Sequence, residues 1–371
     1  MKILFSSHYS FLYGSNRSMD SLIDYFILRK HDVEVLLPSN GAFVTHLEGK
    51  GVKTHIFKYF YEAMYIKWNS KYFSLPLLWI YNFFAFPFLF LKIKRINPDI
   101  IYSNSSIDTY SVWIAKILKK RHVIHIREFM DKDFGAHYIF GSNVKSWILK
   151  NSDKIICVSN AVANSVLREL PNNSKIIYNG VAISNIRHEN PQLTENLKIG
   201  VVGNIDISKQ QDLAIKIMPS ILNVYPNITL HIIGDKECSY KRYIQCLVKE
   251  LNIQDKVIFD GFINNVEEIY NHFDVLLMCS RSEAFGRVTV EAMLRNKPVI
   301  GYKSGGTTEL IENGTTGFHF ENKEDVIKAL HILIKDRNKA LSIINKARNT
   351  AEHKYVENVY VENVYNYVIG S

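Results

Sequence analysis

Residues 256–301 read KVIFDGFINNVEEIYNHFDVLLMCSRSEAFGRVTVEAMLRNKPVIG, and their alternating pattern is the clearest indication of the fold class. Three short apolar runs, at 256–259, 274–278 and 298–301, are separated by longer segments of helical character. Continuous apolar strands that alternate with helices are typical of a parallel sheet covered on both faces. The stretch therefore predicts part of a doubly wound α/β sheet.

The same alternation continues toward both ends of the chain. Two further runs, at 198–202 and 229–233, precede the quoted stretch, and an earlier series lies at 2–6, 33–37, 100–102, 122–126 and 154–158. A polar stretch at 187–191 separates the two series, and 371 residues exceed what one compact core usually supports. We predict two Rossmann-like domains, at 1–182 and 183–352, and a C-terminal helix at 353–371 that packs back toward the first domain.

Composition narrows the class of protein. Apolar residues make up 47% and charged residues 22%, as in an ordinary soluble protein, which excludes wholesale disorder. The four cysteines form no CxxC pair and no His-rich neighbourhood, so neither a zinc site nor a disulfide framework is indicated and a reducing cytoplasm fits best. The first apolar run is too short for the core of a signal peptide.

The net charge of +9 calls for an anionic partner. Nucleic acid, an anionic membrane surface and phosphorylated substrates compete for this role. The basic residues are dispersed and no nucleic-acid motif is present, so a nucleic-acid partner is not expected.

The segment Ser74–Leu91 is exceptionally apolar, with phenylalanine at five positions. It is about as long as a membrane span, for which roughly 20 residues are needed, but Pro76 and Pro87 interrupt it. A crossing here would also split the first sheet between compartments. We predict a segment that faces the inner surface of the cell membrane peripherally, because basic residues follow it at once: Lys92, Lys94 and Arg95. A buried core helix is the alternative.

Two carboxylates stand eight positions apart, at Glu283 and Glu291. If a strand ends near Met278 and a helix begins near Gly286, Glu283 lies in the loop and Glu291 in the second helical turn. Both then border the carboxyl edge of the sheet, where ligands of open α/β sheets bind. An ionised carboxylate can accept two hydrogen bonds from a vicinal diol, which suits sugar hydroxyls. The pair alone would also fit a solvated helix face.

The longer string from Glu283 to Gly317 resembles glycosyltransferase family four. The matching pattern is a glutamate, seven residues, a second glutamate, a strand with Pro298, and the paired glycines Gly305-Gly306. Further matches are Val202-Gly203-Asn204 with Lys209, Ile232-Ile233-Gly234-Asp235, Phe259-Asp260-Gly261-Phe262, Val158-Ser159-Asn160 and Tyr178-Asn179-Gly180-Val181. The resemblance covers nearly the whole chain, most strongly residues 150–320, and implies the GT-B fold, in which two Rossmann-like domains face a central cleft.

The resemblance also implies roles for individual residues. Glu291 matches the glutamate that holds the nucleotide ribose, Glu283 the one that faces the donor sugar, and Lys209 the lysine that neutralises the diphosphate. Backbone amides at the start of the following helix would face the sugar and diphosphate, where the helix dipole favours anions. These amides and the remaining donor-binding positions are Phe285, Gly286, Arg287, Gly14, Gly203, Asn204 and Gly234.

The chain departs from the family pattern at two places. Asn204 stands where the family usually has an arginine, so either another cation (Arg281, Arg287 or Lys303) compensates or the chain is a weak or inactive member. Arg127 stands at or near a position where many relatives carry a histidine beside the sugar, and Glu128 follows it. We expect Arg127 on the acceptor side as a third catalytic residue, whereas His125 suits a buried strand position.

The resemblance implies retention of anomeric configuration. The departing diphosphate would help to deprotonate the acceptor hydroxyl, with no metal and no cofactor. The expected partners are a nucleotide-sugar donor and a lipid-linked saccharide acceptor, in the synthesis of a cell-surface polysaccharide such as lipopolysaccharide or capsule. Two alternatives stay open: another GT-B enzyme, such as a nucleotide-sugar epimerase or a phosphorylase, or a non-catalytic basic binding protein. A dinucleotide dehydrogenase is excluded because no GxGxxG follows the first strand.

Overall fold

The computed structural model describes the chain apart from residues 13, 60–62, 66–74, 130–135, 139–140, 168–169, 184–190 and 371. It describes the backbone but not the side chains of residues 63–65, 75–79, 136–138, 141, 142 and 144. Most of the predicted linker at 187–191 therefore lies outside the described residues.

The chain forms two compact units. One comprises Met1–Tyr178 together with Tyr360–Ser371, and the other comprises Asn179–Val359. The second unit begins a few residues before position 183 because Val181 pairs with Val356, and its amide donates to the Tyr355 carbonyl at 2.9 Å.

The first unit contains a seven-stranded parallel sheet in the order β3-β2-β1-β5-β6-β8-β9. Its strands are β1 (Lys2–Ser6), β2 (Asp32–Leu37), β3 (Lys53–Ile56), β5 (Ile100–Ser103), β6 (Arg121–Ile126), β8 (Lys154–Cys157) and β9 (Ser174–Ile176). Two short strands, β4 (Ala63–Tyr65) and β7 (Ala136–Tyr138), pair antiparallel beside it. Its helices are α1 (Gly14–Leu28), α2 (Ala42–Gly49), α3 (Leu75–Ile96), α4 (Thr109–Leu118), α5 (Gly141–Asn151) and α6 (Asn160–Val166).

The second unit contains a six-stranded parallel sheet in the order β12-β11-β10-β13-β14-β15. Its strands are β10 (Lys198–Val202), β11 (Thr229–Ile233), β12 (Val257–Gly261), β13 (Val275–Met278), β14 (Val299–Tyr302) and β15 (Phe318–Phe320). Its helices are α7 (Gln211–Leu222), α8 (Ser239–Glu250), α9 (Val266–Asn271), α10 (Arg287–Leu294), α11 (Thr307–Leu310), α12 (Lys323–Lys335) and α13 (Arg337–Lys354). The prediction of two doubly wound parallel sheets is confirmed.

The central strands of both sheets are buried on both faces, as their apolar runs predict. In β13, for example, all four residues from Val275 to Met278 are buried. Parallel strands can be covered this way because each crossover helix returns along a face of the sheet. The carboxyl ends of β10, β11, β13 and β14 consequently meet at one edge, and the loops that leave them are adjacent.

The chain ends in helix α14 (Glu357–Ile369). This helix begins at Glu357 rather than at 353 because α13 continues to Lys354 and the chain breaks helical geometry at Tyr355. Its buried side chains join the core of the first unit: Tyr360, Val361, Val364 and Val368. Each fully buried side chain of this kind contributes about 1.5–3 kcal/mol, so α14 is an integral part of that core.

The apolar segment near residue 80 forms helix α3, which contains Pro87. One face packs on the core through Leu89, Ile93 and Ile96, whereas Phe83, Phe84 and Phe88 are 75%, 65% and 66% exposed. The segment is thus a helix with one core face and one exposed apolar face. Among the described residues, no helix is both long enough and apolar enough to cross a membrane.

Candidate active site

The predicted site residues of the second unit lie in loops that leave its sheet at the carboxyl edge. Gly203 and Asn204 follow β10, Gly234 follows β11, and Glu283 lies in the loop that joins β13 to α10. Glu291 lies in the second turn of α10, as predicted. The topology therefore brings these residues to the same edge of the sheet.

An ion pair joins two of these loops. Lys209 Nζ donates to Glu283 Oε2 at 2.8 Å, although the two residues are 74 positions apart in sequence. The lysine side chain is 34% exposed and the glutamate side chain 17%, so the pair is accessible to a ligand. An exposed pair of this type contributes little to folding, typically 0–1 kcal/mol, and can be opened at low cost.

Paired glycines hold the Glu283 loop in place. The Gly306 amide donates to the Glu283 carbonyl at 2.6 Å. At Gly305, where φ is +57°, a Cβ atom would lie 2.6 Å from that carbonyl oxygen. At Gly306 a Cβ atom would lie 2.7 Å from the Ala284 carbonyl oxygen. No side chain fits at either position without moving the loop, so these glycines fix where Glu283 points.

Helix α10 starts directly after this loop. Its N-cap is Gly286, whose φ of 98° lies in the left-handed region that favours glycine. The positive end of the helix dipole is therefore at Gly286 and Arg287, next to Glu283 in sequence. Phe285 is buried and packs edge-on against Tyr355, with ring centroids 6.1 Å apart. The loop is anchored on both sides of the glutamate.

Glu291 is held by Tyr270, which the sequence did not indicate, and by Arg287, which it did. The Tyr270 hydroxyl donates to Glu291 Oε2 at 2.9 Å, and Arg287 Nη2 lies 3.6 Å from Oε1. Burial and the nearby carboxylate raise the pKa of Tyr270 well above its usual range, so the hydroxyl stays protonated and remains a donor. Arg287 also donates to the Gly180 carbonyl at 3.0 Å. Its guanidinium is therefore directed along α10 toward Glu291.

The other predicted donor-binding glycines differ in their surroundings. At Gly234 a Cβ atom would collide with the Gly203 carbonyl oxygen, so the ends of β10 and β11 depend on this glycine for their close approach. Asn204 is exposed, and its carbonyl accepts from Gln211 Nε2 at 3.0 Å. In the first unit, Gly14 begins α1, and a Cβ atom there would meet nothing within 4 Å.

Of the three cations that could replace the missing arginine, two are exposed. The Arg281 guanidinium lies over the Tyr302 ring, 4.9 Å from its centroid, and Lys303 pairs with Glu321 at 3.4 Å. Both follow strands of the second sheet at its carboxyl edge, Arg281 after β13 and Lys303 after β14. Either could therefore approach an anion bound there.

In the first unit, Arg127 and Glu128 take part in buried networks. Arg127 donates to Asn104 Oδ1 and to the Tyr360 hydroxyl, both at 2.8 Å. Glu128 Oε1 accepts from the hydroxyls of Ser105 and Ser106 at 2.7 Å. His125 is fully buried on β6, with Nδ1 2.6 Å from the Tyr102 hydroxyl, and burial lowers its pKa well below the usual value. His125 therefore stays neutral, which suits a core position.

Comparison with known proteins agrees with this architecture. The family model described as "Glycosyl transferases group 1" matches residues 183–350, and the model "Glycosyltransferase Family 4" matches residues 13–185. An uncharacterised glycosyltransferase of Methanocaldococcus jannaschii is 31% identical over 249 residues, which cover 66% of this chain and 68% of the relative. The chain therefore belongs to glycosyltransferase family four.

Named relatives and solved structures agree with this family assignment. The phosphatidylinositol N-acetylglucosaminyltransferase GPI3 subunit of Saccharomyces cerevisiae is 24% identical over 323 residues, 80% of this chain and 69% of the relative. The structure of Anabaena HepE with UDP has a TM-score of 0.82 at 21% identity and covers both chains fully. The lipopolysaccharide outer core galactosyltransferase WaaB has a TM-score of 0.73 at 19% identity, with coverage of 100% and 99%. The chain is a glycosyltransferase with the GT-B fold, and these two predictions are confirmed.

Proposed function

We propose that this glycosyltransferase moves a sugar, with retention of configuration, from a nucleotide-sugar donor to a hydroxyl of a lipid-linked saccharide during cell-surface polysaccharide synthesis. The observation that carries the donor half of this proposal is the Lys209–Glu283 ion pair. It places a cation and a carboxylate together beside the N-terminus of α10. The solved structure of HepE with UDP, which shares the fold, supports a nucleotide donor.

The ion pair suggests how the donor is received. Without ligand, Lys209 and Glu283 neutralise each other at 2.8 Å. A diphosphate carries more negative charge than one carboxylate and would compete for the lysine. Glu283 would then be free to accept hydrogen bonds from sugar hydroxyls, while its backbone stays fixed by Gly305 and Gly306. In the transition state Lys209 would stabilise the charge that develops on the departing diphosphate.

The direct test of this half is nucleotide release from a panel of UDP-, GDP- and dTDP-sugars. We expect one donor to be turned over, and Glu283→Gln to lower its turnover by about 10²-fold or more, as is typical when a group that stabilises the transition state is lost. Glu324→Gln serves as a matched control, since Glu324 is exposed on α12 of the same unit. Equal turnover in both variants would contradict the assignment of Glu283.

The proposal of a lipid-linked acceptor is based on the exposed face of α3. Three phenylalanine side chains, Phe83, Phe84 and Phe88, are largely exposed on this helix. A cavity of about 600 Å³ lies beside them, lined by Phe88, Leu91 and the charged or titratable residues Lys2, Glu34, Lys53, His55, Lys92 and Arg95. Four of these are permanent cations and one is a carboxylate. Apolar side chains next to net positive charge suit an anionic membrane surface, where each basic residue contributes about 1 kcal/mol.

The names of two related proteins also support a lipid-linked acceptor. The relative from Saccharomyces cerevisiae is named for phosphatidylinositol, and WaaB is named for the lipopolysaccharide outer core. An enzyme with such an acceptor would work where the lipid is, at the inner face of the membrane. Peripheral attachment through α3 would place it there.

Co-sedimentation with anionic vesicles tests this half. We expect binding that weakens at high salt, because salt screens surface charge, and that is largely lost when Phe83, Phe84 and Phe88 are changed to Ser. Phe86 is left unchanged because it is partly buried against the core. Phe262→Ser is the control, since Phe262 is 69% exposed in the other unit. If the folded wild-type protein ignores vesicles, a soluble acceptor becomes the better hypothesis.

A further inference from the structure

Three potential metal ligands meet on the second sheet, and none of them belongs to the proposed donor set. His231 lies on β11, Asp260 on β12, and His272 is the C-cap of α9. One ligand atom of each residue lies within 4.8 Å of the others. We propose that these three side chains bind one divalent metal ion of the zinc class, which ties the two strands to the end of the helix.

The spacing of the ligand atoms fits a tetrahedral ion. His231 Nδ1 lies 3.1 Å from Asp260 Oδ2, and His272 Nδ1 lies 3.4 Å from Asp260 Oδ1. Ligands about 2.0–2.1 Å from a tetrahedral zinc ion are separated from one another by about 3.3 Å. One ligand atom of each residue lies within 4.8 Å of the others, so the widest separation would have to close by up to roughly 1.5 Å for all three to bind one ion.

Two of the three side chains are more buried than the members of an ordinary surface ion pair. The side chains of His231 and Asp260 are 8% and 9% exposed, whereas His272 is 34% exposed. A buried carboxylate needs a compensating partner, and Asp260 accepts from the Nδ1–H of His231, which is shared between Oδ1 at 3.3 Å and Oδ2 at 3.1 Å. His272 approaches the same carboxylate from the solvent side. An ion would satisfy all three groups together, and the exposed side leaves room for water as a fourth ligand.

The pairing of β11 with β12 shifts by one residue at Asp260, which changes the direction of this side chain. The pairing of β11 with β12 runs His231 to Ile258 and Ile232 to Phe259, and then jumps from Ile233 to Gly261. Asp260 is thus the extra residue of the register shift. Such bulges re-aim a side chain and are over-represented at functional positions. The other nitrogen of the buried histidine, His231 Nε2, is 3.3 Å from Thr229 Oγ1, and a hydrogen bond at this nitrogen is what orients the ring of a metal-bound histidine.

The ligand set indicates the class of ion. Two imidazoles and one carboxylate suit zinc and its neighbours in the first transition row, whereas magnesium and calcium prefer oxygen ligands. Because its three protein ligands come from β11, β12 and the end of α9, the ion would stabilise this edge of the sheet. The proposal is independent of the identity of the donor and the acceptor.

The test is titration of the chelator-treated 371-residue chain with Zn²⁺ in competition with a chromophoric chelator, together with the visible spectrum of the Co²⁺ form. We expect one equivalent of Zn²⁺ to bind and to raise the thermal unfolding temperature. His272→Gln, at the most exposed ligand, should weaken binding by about tenfold or more, since loss of a residue that only hydrogen-bonds to a metal ligand already costs about 10–100-fold. His331→Gln is the control, because His331 is exposed elsewhere in the same unit.

Each outcome decides the proposal. Zn²⁺ binding that is weakened about tenfold or more in His272→Gln and in Asp260→Asn, but is unchanged in His331→Gln, would support it. Wild-type protein that binds no Zn²⁺ in competition with the chelator would overturn it, leaving a hydrogen-bonded His–Asp pair. Equal binding by the wild type, His272→Gln and Asp260→Asn would also overturn it, because the ion would then be held elsewhere.

Discussion

Replacement of Gly305 by alanine should lower turnover by displacing Glu283, without removing any functional side chain. A Cβ atom at this position would lie 2.6 Å from the Glu283 carbonyl oxygen and 3.2 Å from its amide nitrogen. An ordinary contact begins at 3.4 Å, so the loop must retreat by about 0.8 Å. A misplacement of about 1 Å at an active site can cost about 10²-fold in rate. We therefore expect Gly305→Ala to lower kcat by about 10- to 100-fold.

Gly314 provides a matched control for this substitution. Its φ of +76° is also in the left-handed region, but a Cβ atom there would meet nothing within 4 Å. Both variants should thus lose about 1–2 kcal/mol of stability from backbone strain. Only Gly305→Ala should also move the catalytic loop.

The assay is kcat for nucleotide release at saturating donor and acceptor, with thermal unfolding measured in parallel. The expected result is two variants that are both folded at the assay temperature, with Gly305→Ala unfolding at the lower temperature because of its added clash, and a large difference in kcat. Equal kcat values in Gly305→Ala and Gly314→Ala would refute the claim that the paired glycines position Glu283.

Two further predictions concern binding and pH. Glu291→Ala should weaken nucleotide affinity by about 10- to 100-fold, because hydrogen bonds to a charged group are worth about 1.5–3 kcal/mol. Calorimetric titration checks this, with Glu324→Ala at an exposed residue as the control. Burial lowers the pKa of His122 to about 3, below the value of about 6.5 in the unfolded chain. The contribution of neutral His122 to stability is therefore complete above pH 6.5 and is lost as the pH falls toward 3. Between pH 7 and pH 5 the unfolding free energy of the wild type should fall by about 2 kcal/mol more than that of His122→Gln. Tryptophan fluorescence in urea reports this for the first unit, which contains all four tryptophans, and equal losses in both proteins would contradict it.

Much of the fold could be predicted from the sequence because long apolar strands leave a strong pattern. The apolar runs of β1, β5 and β13 are unbroken, and the structure has strands there. The sequence did not predict β3, β9 or β15, which have only three or four residues and carry Lys53, Lys175 or His319 within them. Such short, mixed strands are defined by their neighbours in the sheet rather than by their own pattern.

The candidate site was only partly predictable for a related reason. Glu283 and Glu291 are close in sequence and belong to a recognisable string, but the pairing of Glu283 with Lys209 arises only from the sheet topology. Tyr270 reaches Glu291 from a short helix with no distinguishing motif. The proposed metal ligands His231, Asp260 and His272 are 29 and 12 positions apart and form no motif either.

The sequence says least about which residues of the first unit take part in the reaction. The resemblance and a position at the end of a predicted strand both indicate Arg127, and Arg127 and Glu128 directly follow β6, which ends at Ile126. The structure adds that Asn104, Ser105 and Ser106, in the loop after β5, hold both side chains. A catalytic role for Arg127 stays a prediction.

The central claim is that a nucleoside diphosphate binds at the Lys209–Glu283 pair, and calorimetric titration with UDP, GDP and dTDP tests it most directly. Lys209→Met should weaken binding of the preferred nucleotide by about tenfold or more, since a charge-assisted contact to phosphate is worth about 1.5–3 kcal/mol. Lys335→Met is the matched control, because Lys335 also pairs with a glutamate, Glu195, at an exposed position of the same unit. Tight binding by the wild type and Lys335→Met, with weak binding by Lys209→Met, is the predicted result. Equal affinities in all three proteins would contradict the assignment of the donor site.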